Sequence, residues 1–295
     1  MESKSINRRQ PLVVIAGQTA SGKSDLAMKI AEKYNGEIIC ADSRTVYKGM
    51  DKGTAKPSRA DREAIRHHLV DIIAPDEAYS ASDFKKDALH SMGDIYSRGK
   101  LPIIVGGTGL YIYSLVYDFD FGRPPNPDIR RRLQEDDLRS LQEKVRRLGL
   151  NKEQINFSNR RHLIRAIENK GLVRSKKQIR KDTLMLGIQI EKEELKQRIR
   201  QRNEKMIRAG LESEVKNLLN KYSWDNPGLN AIAYKEWREY FSGELEIDDV
   251  KENMFKDNWQ YARRQKIWFK RDPNIHWSTS VDDLIRQVDQ FLIQY

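Results

Sequence analysis

The stretch Gly17-Gln18-Thr19-Ala20-Ser21-Gly22-Lys23-Ser24 sets two glycines, a lysine and a hydroxyl at the spacing G-x-x-x-x-G-K-S. An apolar run, Leu12–Ala16, precedes it, and residues 25–31 follow with apolar positions at helical spacing. A buried strand, a glycine-rich turn and a helix start are the context in which this P-loop spacing cradles phosphate. Glycines let successive N–H groups turn toward one anion, and the helix dipole adds partial positive charge there. Lys23 would neutralise phosphate oxygens, and the Ser24 hydroxyl would ligate Mg²⁺. All eight residues are therefore candidates for holding a diphosphate or a nucleotide.

Two more polar groups end strand-like runs. Asp42 follows Glu37-Ile38-Ile39-Cys40-Ala41, where a carboxylate could take a proton or hold a metal ion. Thr108 follows Leu101-Pro102-Ile103-Ile104-Val105 and two glycines, so its hydroxyl at a helix start could hold an anionic oxygen. In an open parallel sheet, chemistry gathers beyond the carboxyl ends of the strands. The P-loop, Asp42-Ser43 and Gly107-Thr108 are thus expected to face one crevice. Arg202 lies on the apolar stripe of a later helix, between Ile199 and Met206. A guanidinium facing a core needs an anion, either an Asp or Glu or the bound phosphates. Two chemistries fit: a small-molecule kinase using ATP, or a transferase whose substrate carries a diphosphate leaving group.

The elements that must position these groups read as α/β. Strand-like runs alternate with helical patterns over the first 120 residues, the signature of a parallel sheet with crossover helices. A third strand is expected over His68–Ile72 and a helix over Ser82–Arg98, capped by Ser82 and Asp83. Phe121–Pro127 carries three prolines in four positions, which no helix or central strand tolerates. Basic helical patterns follow at Asp128–Leu148 and Asn159–Asn169, then a basic loop with Arg174, Lys176, Lys177, Arg180 and Lys181. At Leu186–Ile190 the chain looks like a strand again, and one long helix is expected from Leu195 to Leu219. The expected layout is a P-loop NTPase-like core over 11–123 and 183–295, with a small inserted helical domain at 124–182.

Charge locates a second function. Residues 121–200 hold 22 Lys/Arg against 11 Asp/Glu, which equals the whole net charge of +11. A basic block beside a near-neutral catalytic segment points to a polyanion, most simply nucleic acid. Residues 255–270 interleave Phe255, Trp259, Tyr261, Trp268 and Phe269 with Arg263, Arg264, Lys266 and Lys270, as RNA-stacking surfaces do. A core helix with one basic face gives nearly the same string. The single cysteine, Cys40, excludes a disulfide framework and a cysteine zinc site. The first ten residues carry no signal-peptide core, and no apolar run is long enough to span a membrane. A cytoplasmic monomer is expected.

Asp42-Ser43-Arg44-Thr45-Val46-Tyr47-Lys48-Gly49-Met50-Asp51-Lys52-Gly53-Thr54-Ala55-Lys56-Pro57 resembles the D-S-x-Q-x-Y-x-x-x-D-x-G-T-A-K-P stretch of the tRNA dimethylallyltransferases. His67–Asp71, Tyr79-Ser80-Ala81, Phe84, Gly106–Tyr111, Arg161–Glu168 and Arg263-Arg264-Gln265 with Trp268 are similar to that family's motifs too, in the same order. The resemblance implies transfer of a dimethylallyl group from dimethylallyl diphosphate to N6 of adenosine 37, in the anticodon stem-loop of tRNA. Asp42, Thr108 and Arg202 would be the catalytic residues, with Mg²⁺ on Ser24. Asp42, Ser43, Arg44, Thr45, Thr108, Arg130, Arg161, His162, Leu163, Ile164, Arg165, Tyr234, Lys235, Arg263, Arg264, Gln265, Trp268 and Lys270 would meet the tRNA. Thr45 stands where the family usually has glutamine, and Ala233 where it usually has glycine; both departures are expected to touch RNA selection.

Overall fold

The computed structural model describes residues 10–122, 126–150, 155–171 and 177–295. Pro124, Pro125, Arg174 and Lys176 of the segments read above, and residues 1–9, lie outside these. Contacts divide the chain into two units, one running to Val116 and resuming at Arg180, the other Tyr117–Ile179.

In the first unit six strands are described: β1 (Leu12–Ala16), β2 (Gly36–Cys40), β3 (His67–His68), β4 (Leu101–Gly106), β5 (Thr183–Ile188) and β6 (Ile275–Ser278). They form one sheet in the order β3-β2-β4-β1-β5-β6, and every pairing is parallel. The α-helices described in both units are, in chain order, α1 (Lys23–Lys33), α2 (Arg59–Ala64), α3 (Ala81–Ser97), α4 (Gly109–Val116), α5 (Pro127–Glu135) and α6 (Leu138–Arg147). They continue with α7 (Arg160–Glu168), α8 (Lys192–Arg208), α9 (Leu211–Leu219), α10 (Arg238–Phe241), α11 (Ile247–Lys270) and α12 (Val281–Leu292).

β1 is buried along its whole length, as a strand covered on both faces must be, hence its uninterrupted apolar sequence. α1 and α12 cover one face through Leu26, Ile30, Leu284 and Val288, packed on Ile15, Ile38, Ile103 and Leu186. Register then positions the chemistry. Ala16 pairs with Gly106 and Gly187, and Cys40 with Val105. The chain therefore leaves β1, β2 and β4 at one edge, into the P-loop, Asp42 and Gly107-Thr108.

Several elements depart from expectation for identifiable reasons. β3 is two residues long because Leu69 and Asp71 adopt φ of 62° and 58°, which ends extended pairing. The helix expected to run from Leu195 to Leu219 starts earlier and splits into α8 and α9 at Gly210, φ 90°. Only glycine takes that conformation without steric cost. The cap of α3 is Ser80, in a capping box with Asp83. β5 begins at Thr183, three residues before the expected strand. β6 and α12 had no counterpart in the sequence reading.

The second unit packs α5, α6 and α7 around Leu133, Leu141, Val145, Leu163 and Ile164. The single helix expected over Asp128–Leu148 breaks at Asp136 and Asp137, where the Asp137 carboxylate caps α6. Beside this core the Glu168 side chain, only 3% exposed, takes a bidentate pair from Arg130 at 2.8 and 2.6 Å and a third bond from Arg165 at 3.0 Å.

Candidate active site

A cleft of about 860 Å³ opens at the carboxyl edge of the sheet, lined by Thr19–Ser24, Asp42, Thr45, Gly107, Arg202 and Gln265 among others. Each wall comes from a different part of the sequence. The P-loop follows β1, and Gly22 is the N-cap of α1, so the first N–H groups of that helix are open to an anion. Ala20 holds φ 59°, strain of the kind that non-glycine residues bear at functional turns.

Thr108 is fixed by its own backbone. Its N–H donates to Ala41 at 3.2 Å, and its hydroxyl accepts the Ser43 N–H at 3.0 Å. The loops after β2 and β4 are thereby tied together. Asp42 accepts the Arg44 N–H at 2.8 Å through one carboxylate oxygen. Tyr261, reached from α11, hydrogen-bonds to Thr108 and Gln265, and burial followed by the Asp42 charge pushes its hydroxyl up to about 12.

α11 also closes the site from behind. Gln265 is 4% exposed; its Oε1 accepts the Thr19 N–H at 2.7 Å and its Nε2 donates to Gly107 at 3.0 Å. A methyl group on Gly107 would stand 2.0 Å from that nitrogen, so glycine permits the approach. Gln18 returns the contact by donating to Ala262 at 3.0 Å.

The cations are held by neutral acceptors. Arg202 bonds Thr19 Oγ1 and, at 3.3 Å, the Thr54 carbonyl; among the described residues no carboxylate forms an ion pair with it. That leaves its charge available to a bound anion, the functional alternative. Lys23 donates to the Gln18 carbonyl. Burial, the Arg202 charge and, opposing them, Asp42 bring the Lys23 ammonium down to about 7. Burial also lowers Arg202, against the pull of Asp42. Two desolvated cations beside a P-loop make an anion site of high intrinsic demand. Arg198, not named from the sequence, borders the same cleft but differs from these two: it is exposed, reaches the Ser21 carbonyl at 3.4 Å and is paired with Glu194 at 2.6 Å. Its spacing of four from Arg202 was the available signal.

Mg²⁺ prefers oxygen donors and keeps several waters, usually with substrate phosphates as partners. Ser24 and Asp42 line the same cleft, and no group of three His, Cys, Asp or Glu is gathered among the described residues. The donor set fits an ion brought in with phosphates rather than one caged by protein.

With this geometry, the model of the IPP transferases matches residues 45–272. The chain belongs to that family. It is 39% identical to the tRNA dimethylallyltransferase of Anoxybacillus flavithermus, covering 96% of this chain and 95% of the relative. It is 40% identical to tRNA dimethylallyltransferase 2 of Geotalea uraniireducens, over 90% and 91%. Among solved structures it resembles the tRNA isopentenylpyrophosphate transferase of Bacillus halodurans, with 32% identity, TM-score 0.74 and coverage of 97% and 96%. A eukaryotic dimethylallyltransferase acting on tRNA matches at 27% identity and TM-score 0.76, over 95% of this chain and 77% of that one.

The motif residues of this IPP transferase divide into those that face the cleft, those that face outward and those that build the frame. Arg263, Arg264, Lys270 and Trp268 are exposed on α11; the Trp268 ring, 43% exposed, leans on Tyr113 at 5.7 Å. Arg44 is half-buried and donates to the Pro227 carbonyl at 3.1 Å. In the second unit Arg161 and His162 are exposed, whereas Arg130 and Arg165 are held by Glu168. Lys235 pairs with Asp257 at 2.5 Å. Leu163, Ile164, Tyr234 and Gln265 require correction as direct RNA contacts, because all four are buried. Tyr234 donates to Glu214 at 2.7 Å, and that carboxylate also accepts the Lys52 and Gly53 N–H groups. Ala233 is 1% exposed, so this departure alters a core position and no RNA-facing one. Thr45 is buried but borders the cleft. Lys56, with a side chain 1% exposed, ties Asp51, Asp71 and the Tyr47 carbonyl together, which explains why the two separated motifs carry those residues.

Proposed function

We propose that this chain transfers the dimethylallyl group of dimethylallyl diphosphate to N6 of adenosine 37 in tRNAs that read codons beginning with U, releasing diphosphate. The observation that carries this reading is the meeting of the P-loop, Asp42 and Gly107 in one cleft of an IPP transferase, with Thr108 next to Gly107 and tied to Ser43 at 3.0 Å. The C1–O bond of the allyl diphosphate breaks, the N6–C1 bond forms, and the amine proton passes to Asp42 as general base. Lys23, Arg202 and the P-loop N–H groups stabilise the charge that develops on the departing diphosphate. Mg²⁺ on Ser24 and the phosphate oxygens would add further positive charge to that leaving group. The P-loop therefore needs no ATP hydrolysis; the phosphates it holds are the substrate's own.

The target base must leave its stack to reach such a cleft. In this reading the exposed basic residues and Trp268 of α11 would meet the tRNA by phosphate contacts and stacking, and in the second unit the exposed Arg161 and His162 would supply phosphate contacts of their own. The chain acts as a monomer in this reading. The test is incubation with Mg²⁺, labelled dimethylallyl diphosphate and tRNA carrying A36-A37-A38. Label should enter that RNA and not a variant with G37. Absence of label together with phosphoryl transfer from ATP would replace this reading with the small-molecule kinase.

A further inference from the structure

A second cavity of about 390 Å³ lies in the first unit, lined by Met28, Ala31, Glu32, Gly36, Ala64 and Arg66 among others. Met28 also lines the active-site cleft, and it is the side chain that the two cavities share. Its place on α1 gives this a meaning. Ser24, Met28 and Glu32 are four residues apart, so they stack along one face of the helix. Ser24 borders the phosphate end of the cleft and Glu32 borders the second cavity. Successive members of that row are about 6 Å apart along the axis. From the phosphate end to Met28 is therefore the reach of one isoprene unit and short of two.

The wall opposite is apolar. Ile38 and Cys40 are two apart on β2, so both face the same side of the sheet, and Asp42 follows just beyond the end of that strand. Ile38 and Cys40 belong to the cluster formed with Leu26, Ala27 and Ile30 of α1. Asp42, Ile38, Cys40, Met28 and His67 line the cleft. Asp51, Lys52 and Lys205 line it as well, and their charges suit polar substrate. A hydrocarbon tail leaving a carbon between the P-loop and Asp42 is best received on the apolar side.

We propose that Met28 is the floor of the prenyl pocket and sets the length of the allyl group that the enzyme accepts. The proposal rests on the prenyl-transfer reading above. An unbranched thioether on the side of a helix fills the gap without rigid shape. Selection is then by exclusion: a second isoprene unit meets the Met28 side chain, and the space beyond it is closed off. Removing that side chain joins the two cavities and gives the longer tail somewhere to go.

The experiment offers wild type, Met28→Ala, Met28→Val and Met28→Leu equal concentrations of dimethylallyl and geranyl diphosphate with tRNA, and weighs the modified nucleoside by mass spectrometry. Wild type and Met28→Leu should yield the five-carbon product. Met28→Ala should raise the ten-carbon share at least about tenfold, with Met28→Val intermediate. In parallel, the inhibition constant of geranyl diphosphate against dimethylallyl transfer should tighten by about tenfold in Met28→Ala, which reads binding without requiring geranyl turnover. Should Met28→Ala not fold, by its thermal transition, Met28→Val carries the same comparison. A folded variant that transfers dimethylallyl yet neither uses nor binds the geranyl compound better than wild type overturns the proposal, as does wild type using both equally. Wild type that modifies no tRNA at all overturns the function instead.

Discussion

Gln265 accepts the Thr19 N–H at 2.7 Å and with the other end of the same amide donates to Gly107 at 3.0 Å. One buried side chain of α11 thus sets the distance between the phosphate loop and the loop that carries Thr108. Replacing it with glutamate turns the donor toward Gly107 into a second acceptor, leaving a repulsive contact in a buried place. Gln265→Glu should lower kcat about 10²-fold and raise KM for the allyl diphosphate, measured by steady-state kinetics. Unchanged constants in a folded variant would remove Gln265 from the positioning machinery.

Asp42 accepts the Arg44 N–H at 2.8 Å, a bond that an asparagine oxygen also makes. Asp42→Asn should therefore keep the loop and lose only basicity and charge. Turnover is expected to fall about 10²- to 10⁴-fold, while the tRNA dissociation constant, measured by filter binding, stays close to wild type. A rate near that of wild type would show that Asp42 does not receive the proton.

How much of this was legible depends on the range over which each signal acts. The P-loop, Asp42 and Thr108 could be read because each sits at a strand end, and the carboxyl edge of a parallel sheet is a local prediction. Gln265 and Tyr234 were named from their motifs as RNA contacts. Their burial depends on α11 and α9 folding back over distant loops, which no local pattern encodes. The early end of β3 and the split between α8 and α9 escaped the sequence for another reason. Their apolar spacing continued while single residues, Leu69 and Gly210, took left-handed backbone, and conformation overruled periodicity. The short edge strand β6 is partly exposed along most of its length, so it lacks the apolar run that betrays a central strand.

Arg130 and Arg161 were read alike from the sequence, and the structure separates them. Arg130 makes two bonds to a Glu168 side chain that is 3% exposed, and without it only the Arg165 bond at 3.0 Å remains on that buried carboxylate. Arg130→Ala should cost on the order of 1–2 kcal/mol of stability. Arg161 is exposed, and Arg161→Ala should leave stability unchanged while reducing the salt slope of tRNA binding by about 1. Thermal denaturation and salt-dependent binding measure the two effects. Equal melting temperatures for both variants would contradict the structural role given to Arg130.

Glu236 offers a stability test away from the site. It is 8% exposed, accepts the Ala233 N–H at 2.8 Å, and is pushed up to about 8, chiefly by burial. The folded protein keeps this proton to about pH 8, whereas the unfolded chain releases it near 4.5. Stability from this group is therefore full below pH 4.5 and lost as pH rises through about 8. Asp257 beside it is lowered and contributes with the opposite sign, its share lost only in acid. Glu236→Gln should flatten the melting-temperature profile between pH 4.5 and 8 and be the more stable protein above pH 8. A profile parallel to wild type would show that Glu236 titrates normally.

Lys23 links the same physics to binding. Burial first, then Arg202, bring its ammonium down to about 7, with Asp42 opposing. Between pH 7 and 10.5 the unfolded chain holds a proton that the folded, unliganded protein has released, so stability rises with pH across that window. A bound diphosphate reverses the balance by placing negative charge against Lys23, which raises its pKa. Binding then takes up a proton above pH 7, and affinity for inorganic diphosphate should weaken by as much as about tenfold per pH unit there. Calorimetry at pH 8 in two buffers of different ionisation enthalpy reads the proton directly, with close to one taken up per diphosphate bound. Lys23→Arg stays charged at every accessible pH, so its binding should lose this pH dependence and the proton uptake together. Retention of both by the arginine variant would assign them to another group.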